Sequence, residues 1–183
     1  MKSSNRQNLR TMTQSAIFAA LLCVLSPIAI PVGAVPITLS IFLVMLTGVV
    51  LEWRQAGMAV LVYLLIGAVG LPVFSGGQAG FAVFIGPTGG YLWCYLPMVI
   101  LISMVSHCGG ATTRMAVFGN ALALVLCYTT GTAQFTFLSR CDIETALAVC
   151  VFPFVALDVI KLVAAAVLGN ALRLRLQASG LMK

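Results

Sequence analysis

Two side chains of opposite charge sit inside one apolar stretch. Asp158 and Lys161 follow VFPFVAL and precede LVAAAVLG, with only Val159 and Ile160 between them. An ionisable group within a membrane span costs about 3 kcal/mol or more, so such groups usually mark functional sites. At i,i+3 the two share a helix face, with an axial offset of about 4.5 Å. Together they offer an acceptor-only carboxylate and a donor-only ammonium, a set suited to holding a polar ligand. The competing reading is a structural ion pair, since groups one turn apart can neutralise each other while bracing the helix. Pro153 stands five residues before Asp158. Inside a helix it would free a backbone carbonyl and kink the axis, opening space beside the pair.

Other polar groups at depth are fewer. Thr38 and Ser40 follow Pro36, Tyr63 lies in a third apolar segment, and Tyr91, Trp93 and Tyr95 begin a fourth. Asn120, Tyr128, Thr129, Thr130, Thr132 and Gln134 run along a fifth. Aromatics at segment ends suit an interfacial belt, and hydroxyls can bond helix backbones. Some of these groups are expected to line one cavity with Asp158. His107 receives no role. The chain has no G-x-x-x-x-G-K-[ST], H-E-x-x-H or G-x-S-x-G motif, so neither a nucleotide-binding loop nor a catalytic set is expected. Cys23, Cys94, Cys108, Cys127, Cys141 and Cys150 form no C-x-x-C pair and mostly lie in apolar runs, so no disulfide framework, metal site or cofactor is expected. A polar site without an engine points to binding or moving a solute rather than transforming one.

The elements that must position this site are membrane helices. The 183 residues are 61% hydrophobic and 8% charged, against roughly 25% charged in a soluble domain. The net charge of +6 comes from scattered basic residues that flank apolar segments, which is a topology signal and not a nucleic-acid surface. Apolar segments are read at 13–30, 36–51, 57–71, 91–106, 115–133 and 145–172. The expectation is an all-α membrane protein, a single domain over 1–183 built as a six-transmembrane-helix bundle in contact with lipid. A cleavable signal peptide is rejected, because the first run continues into Pro27 and Pro31 without a small-x-small cleavage site. With both termini cytoplasmic, Lys2, Arg6, Arg10, Arg54, Arg114, Arg173, Arg175 and Lys183 fall inside and only Arg140 outside.

Between segments three and four, Gly70 to Gly90 reads GLPVFSGGQAGFAVFIGPTGG, with seven of the 17 glycines, two prolines and no ionised side chain. It is too broken for a helix and too apolar for an ordinary exposed loop. Irregular backbone at membrane depth survives when buried in protein or lining a cavity, so a fold-back lid is expected. Ala16 and Ala20, with Ala19 beside them, give segment one a small-xxx-small face that another helix can approach closely.

GAVGLPVF at Gly67–Phe74, GPTGGYL at Gly86–Leu92, VPITL at Val35–Leu39 and PF-x₃-D-x₂-K at Pro153–Lys161 occur in order across nearly the whole chain. In this combination the chain resembles the BioY family, biotin-specific substrate-binding (S) components of energy-coupling-factor transporters. Two departures are visible: Ser40 where the family often has Gln, and Ala156 and Leu157 where it often has Pro-Gly. The resemblance implies a six-helix bundle, biotin as ligand, and as partners a transmembrane coupling subunit and ABC-type ATPases. It maps the coupling-subunit contact onto Ala16 and Ala20. Biotin offers ureido N–H donors, a ureido carbonyl and a valerate carboxylate. Asp158 would accept from a ureido N–H. Lys161 would serve the ureido carbonyl, the preferred assignment, or stay paired with Asp158 to keep it ionised, or pair with the valerate. Ser40, Gln78, Phe84, Thr88, Gly89 and Tyr91 are further candidate contacts. Rival expectations are an S component for another vitamin, a proton- or ion-coupled transporter with Asp158 and Lys161 as relay, and a purely structural subunit.

Overall fold

Proline and glycine punctuation divides the apolar chain into helices. The computed structural model describes residues 2–30, 35–108 and 112–179, with side chains from Leu9 onward. Lys183 and Pro31 lie outside the described residues, as do the side chains of Lys2 and Arg6. In order come α1 (Lys2–Leu25), β1 (Ala29–Ile30), β2 (Ile37–Thr38), α2 (Ser40–Val50) and α3 (Trp53–Val69). A 3₁₀ turn (Ser75–Gly77) and α4 (Ala82–Ile85) follow, then α5 (Gly89–His107), α6 (Thr113–Ser139), α7 (Ile143–Cys150) and α8 (Phe152–Ala178).

The helices α5, α6 and α8 are each long and apolar enough to cross a bilayer, while α2, α3 and the Leu9–Leu25 part of α1 are apolar but shorter. Side-chain-poor positions set the closest approaches. A Cβ on Gly48 would stand 2.8 Å from the Ile102 side chain, and one on Gly169 would stand 2.7 Å from Val49, so α2 nests against both α5 and α8. The core runs through Leu22, Met45, Val49, Val60, Met98 and Ile102, all fully buried. At the end of the bundle remote from the lid, Arg173 of α8 is buried and donates to the carbonyls of Val49 (3.5 Å) and Ser106 (3.3 Å), in the last turns of α2 and α5. A cation suits those carbonyl-rich helix ends.

Three expectations are corrected. The first apolar segment does not remain helical to residue 30: α1 ends at Leu25, and Ala29–Ile30 pairs antiparallel with Ile37–Thr38 in a small ribbon. The sixth segment is two helices, not one kinked helix. Pro153 cannot donate to a carbonyl one turn back and its ring would clash there, so the chain breaks at Val151 (φ −124°, ψ −60°) and Pro153 falls in the first turn of α8. Ala19 turns into the core, whereas Ala16 and Ala20 remain exposed, so the three do not share one face of α1.

The segment from Gly70 to Thr88 folds back over one end of the bundle. Gly70 ends α3 in the left-handed region (φ 117°) and lets the chain reverse. Phe74 then drops against Tyr63 (edge-to-face, 5.6 Å between centroids) and over Gly67, where any Cβ would overlap its ring. Phe84 extends this edge-to-face cluster, 5.4 Å from Phe74 and 5.0 Å from Trp93 between centroids. The backbone is tied down by Gly76 N–H donating to Pro27 O (3.1 Å) and Gly80 N–H donating to Gly67 O (2.8 Å).

Candidate functional site

Beneath the folded-back segment lies a cavity of about 120 Å³ where β2, α2, α5, α6, α8 and the lid converge. Its apolar wall comes from Val35, Pro36, Ile41, Phe74, Val83, Leu92 and Phe154, and its polar lining from Thr38, Ser75, Gln78, Thr88, Tyr91, Tyr95, Tyr128, Asp158 and Lys161, with Cys150 also on the wall. Among the described residues, Asp158 and Lys161 are the only charged ones lining it.

The helical spacing does what the sequence implied. Lys161 Nζ lies 2.9 Å from Asp158 Oδ1 across one turn of α8, and it donates a second bond of 2.9 Å to the Thr38 carbonyl on β2. Tyr128 on α6 donates to the other carboxylate oxygen, Asp158 Oδ2, at 2.7 Å. Asp158 is therefore gripped from both sides and is 2% exposed, while Lys161 keeps 17% of its side chain open. Thr38 is itself steadied: Ser40 Oγ donates to Thr38 Oγ1 (2.7 Å) and shares a 2.8 Å bond with Tyr95 Oη. Lysine has three N–H donors and a carboxylate has about four lone-pair positions, so both retain capacity for a ligand.

Tyr91 answers the helix break. A continuous helix would commit the Cys150 carbonyl to the Phe154 N–H, but that N–H goes to Val151 O instead. The Tyr91 hydroxyl donates to the freed Cys150 carbonyl at 3.2 Å, and its ring stands over Gly131, where a Cβ would overlap it. Tyr91 thus faces the cavity with its own proton engaged, able to accept from a ligand.

Of the residues singled out from sequence, Asp158, Lys161, Gln78, Thr88 and Tyr91 line the cavity together. Ser40 stands one layer behind it, bonded to Thr38 and Tyr95. Phe84 and Gly89 also sit outside the lining: Phe84 packs edge-to-face with Phe74 and Trp93, and Gly89 is buried against the Phe84 carbonyl. Ala16 and Ala20 lie on the exposed face of α1 and take no part in the cavity. Sequence reasoning named Tyr128 and Tyr95 as polar groups at depth without assigning them to the site. Their signal was a hydroxyl-bearing ring within an apolar helix, and for Tyr95 the i,i+4 spacing from Tyr91. Phe74 and Phe154 gave no signal distinct from other apolar positions.

The family model for the BioY family matches residues 1–178. The chain belongs to the BioY family. Among BioY relatives, biotin transporter BioY2 of Lactococcus lactis subsp. cremoris is 41% identical over 164 residues, covering 90% of each chain. Biotin transporter BioY of Thermotoga maritima is 38% identical over 167 residues, covering 91% of this chain and 96% of the relative. The fold is likewise similar to the crystal structure of an S-component for biotin from an ECF-type ABC transporter, with a TM-score of 0.84, 28% identity, and coverage of 92% of this chain and 93% of that one. BioY membership makes this an integral membrane protein of the transport class.

Proposed function

We propose that the chain binds biotin in the cavity under the lid and mediates its uptake as the substrate-specific component of an energy-coupling-factor transporter. The observation that carries this reading is the composition of that cavity: a charged donor–acceptor cluster, Asp158, Lys161 and Tyr128, facing a lining that joins apolar side chains such as Val35, Ile41, Phe74 and Phe154 with neutral polar groups. A bicyclic ligand with a polar ureido edge and an apolar body matches that division. The names and titles of the relatives, biotin transporters and an S-component for biotin, support the same ligand.

Asp158 accepts a ureido N–H, and the third N–H of Lys161 serves the ureido carbonyl. Lys161 already faces a carboxylate at 2.9 Å. A ligand carboxylate brought to about 4 Å from Asp158 would meet a repulsion of about 4 kcal/mol at an effective dielectric near 20. The valerate therefore points away from the pair, toward the lid and Gln78, Thr88. Desolvated polar groups reject ligands that leave them unsatisfied, so the cluster supplies specificity as well as affinity.

Six transmembrane helices with both termini cytoplasmic are part of the proposal. Arg54 and Arg114 begin α3 and α6, Arg173 and Arg175 end α8, and Arg140 caps the opposite end of α6. The positive-inside rule then sets the lid on the outer face, where ligand arrives. The exposed Ala16–Ala20 face of α1 is the proposed contact for a transmembrane coupling subunit, which in turn carries ABC-type ATPases. Mass spectrometry of ligand released from the purified protein, followed by titration of Asp158→Asn and Lys161→Met with biotin, tests the reading. Loss of binding in both supports it, and wild-type affinity in both would sink it.

A further inference from the structure

Both limbs of the lid are tied to the bundle, the first by the Gly76 and Gly80 bonds to Pro27 O and Gly67 O and by buried Phe74. In its first limb, Gly76, Gly77 and Gly80 adopt positive φ, and a Cβ on any of them would meet nothing within 4 Å. The second limb is pressed onto the bundle. Gln134, near the end of α6, donates its carboxamide N–H groups to two lid carbonyls, Phe84 O and Gly86 O, each at 2.8 Å. Trp93 Nε1 adds a 3.2 Å bond to the same Phe84 carbonyl. The last two glycines of GPTGG are spaced for this contact. A Cβ on Gly89 would stand 2.6 Å from Gln134 Nε2, and one on Gly90 would stand 3.0 Å from Gln134 Cβ. The carbonyls so gripped flank Ile85 and bracket the turn between Val83 and Thr88, both of which line the cavity.

We propose that Gln134 is a positioning residue that pins the lid's second limb over the cavity and thereby sets the rate at which ligand leaves. Gln134 touches no ligand itself and is not among the lining residues. It acts through Phe84 and Gly86 on Val83 and Thr88. The inference rests on the cavity being the biotin site. Two neutral hydrogen bonds made in the closed lid and lost in the open one favour closure by about tenfold.

The test is stopped-flow binding of biotin to purified wild-type protein, Gln134→Glu and Gln134→Leu, with thermal unfolding of each in the absence of biotin. Gln134→Glu keeps the shape but sets carboxylate oxygens against two carbonyl oxygens. The expected result is dissociation about tenfold faster, association within about threefold of wild type, and a ligand-free melting temperature lower by no more than about 3–6 °C. Trp93→Phe, which keeps the stack on Phe84 and removes the parallel donor, should speed dissociation by a smaller factor. An unchanged dissociation rate in Gln134→Glu overturns the proposal. So does a ligand-free melting temperature that falls by more than about 10 °C, which would make Gln134 a brace of the fold. Failure of the wild-type protein to bind biotin refutes the functional reading instead, and the two outcomes are separate.

Discussion

Removing Lys161 while leaving Asp158 should damage the fold and the site by different amounts, and a second substitution separates them. At 2.9 Å and an effective dielectric near 20, the pair's attraction is about 6 kcal/mol. Lys161 retains 17% exposure toward the cavity, so water screens part of this, and stranding a carboxylate that is 2% exposed should cost about 3 kcal/mol. For a chain of this length that corresponds to a fall of about 6–12 °C in ligand-free melting temperature for Lys161→Met. Adding Asp158→Asn removes the stranded charge and keeps an acceptor for the Tyr128 hydroxyl. The double variant should recover to within about 1 kcal/mol of wild type. Biotin binding should not recover: two hydrogen bonds to charged groups, each worth about 1.5–3 kcal/mol, are gone, and the dissociation constant should stay more than about a hundredfold weaker. Thermal unfolding in detergent and calorimetric titration read the two quantities. A double variant that melts as low as Lys161→Met would refute the self-neutralising pair, and one that binds like wild type would refute the site.

Tyr128→Phe deletes the 2.7 Å bond to Asp158 Oδ2 and leaves the ring, so affinity for biotin should fall about tenfold with a small change in melting temperature, measured by the same titration. Gly131→Ala drives a methyl into the Tyr91 ring, pushing that ring off the Cys150 carbonyl; it should destabilise by about 1–3 kcal/mol in thermal unfolding and weaken binding as well.

The charged pair was legible because it breaks two local patterns at once, an apolar run and the scarcity of ions within it, and i,i+3 spacing is a property of the helix alone. The lid was legible for a similar reason: seven glycines and two prolines in 21 residues break up any long helix, although the structure keeps a single turn at Ala82–Ile85 and starts α5 at Gly89, which sequence reasoning had left irregular. Tyr128 was not, because its bond to Asp158 joins positions 30 residues apart on different helices, and nothing local distinguishes it from an interfacial tyrosine. The break at Val151 was misplaced as a kink. Proline announces that a helix is disturbed, but whether the helix bends or restarts depends on what receives the freed carbonyl, and here that is Tyr91. The short ribbon at Ala29–Thr38 escaped because two-residue strands carry no readable alternation. Gln134 is a polar residue at a helix end until the lid carbonyls stand beside it.

The cancelling charges of Asp158 and Lys161 have an electrical consequence. The ion pair sums to zero, and no other charged side chain lines the cavity among the described residues. The empty site therefore gives the transmembrane voltage nothing to pull on. On the proposed binding mode, the site filled with biotin carries one uncompensated negative charge, that of the valerate. Carrying that charge to an inside-negative compartment runs uphill by about 2.3 kcal/mol per 100 mV. On this binding mode the voltage term opposes inward movement of the cargo, so uptake against a concentration gradient needs a source of work other than the voltage acting on the cargo.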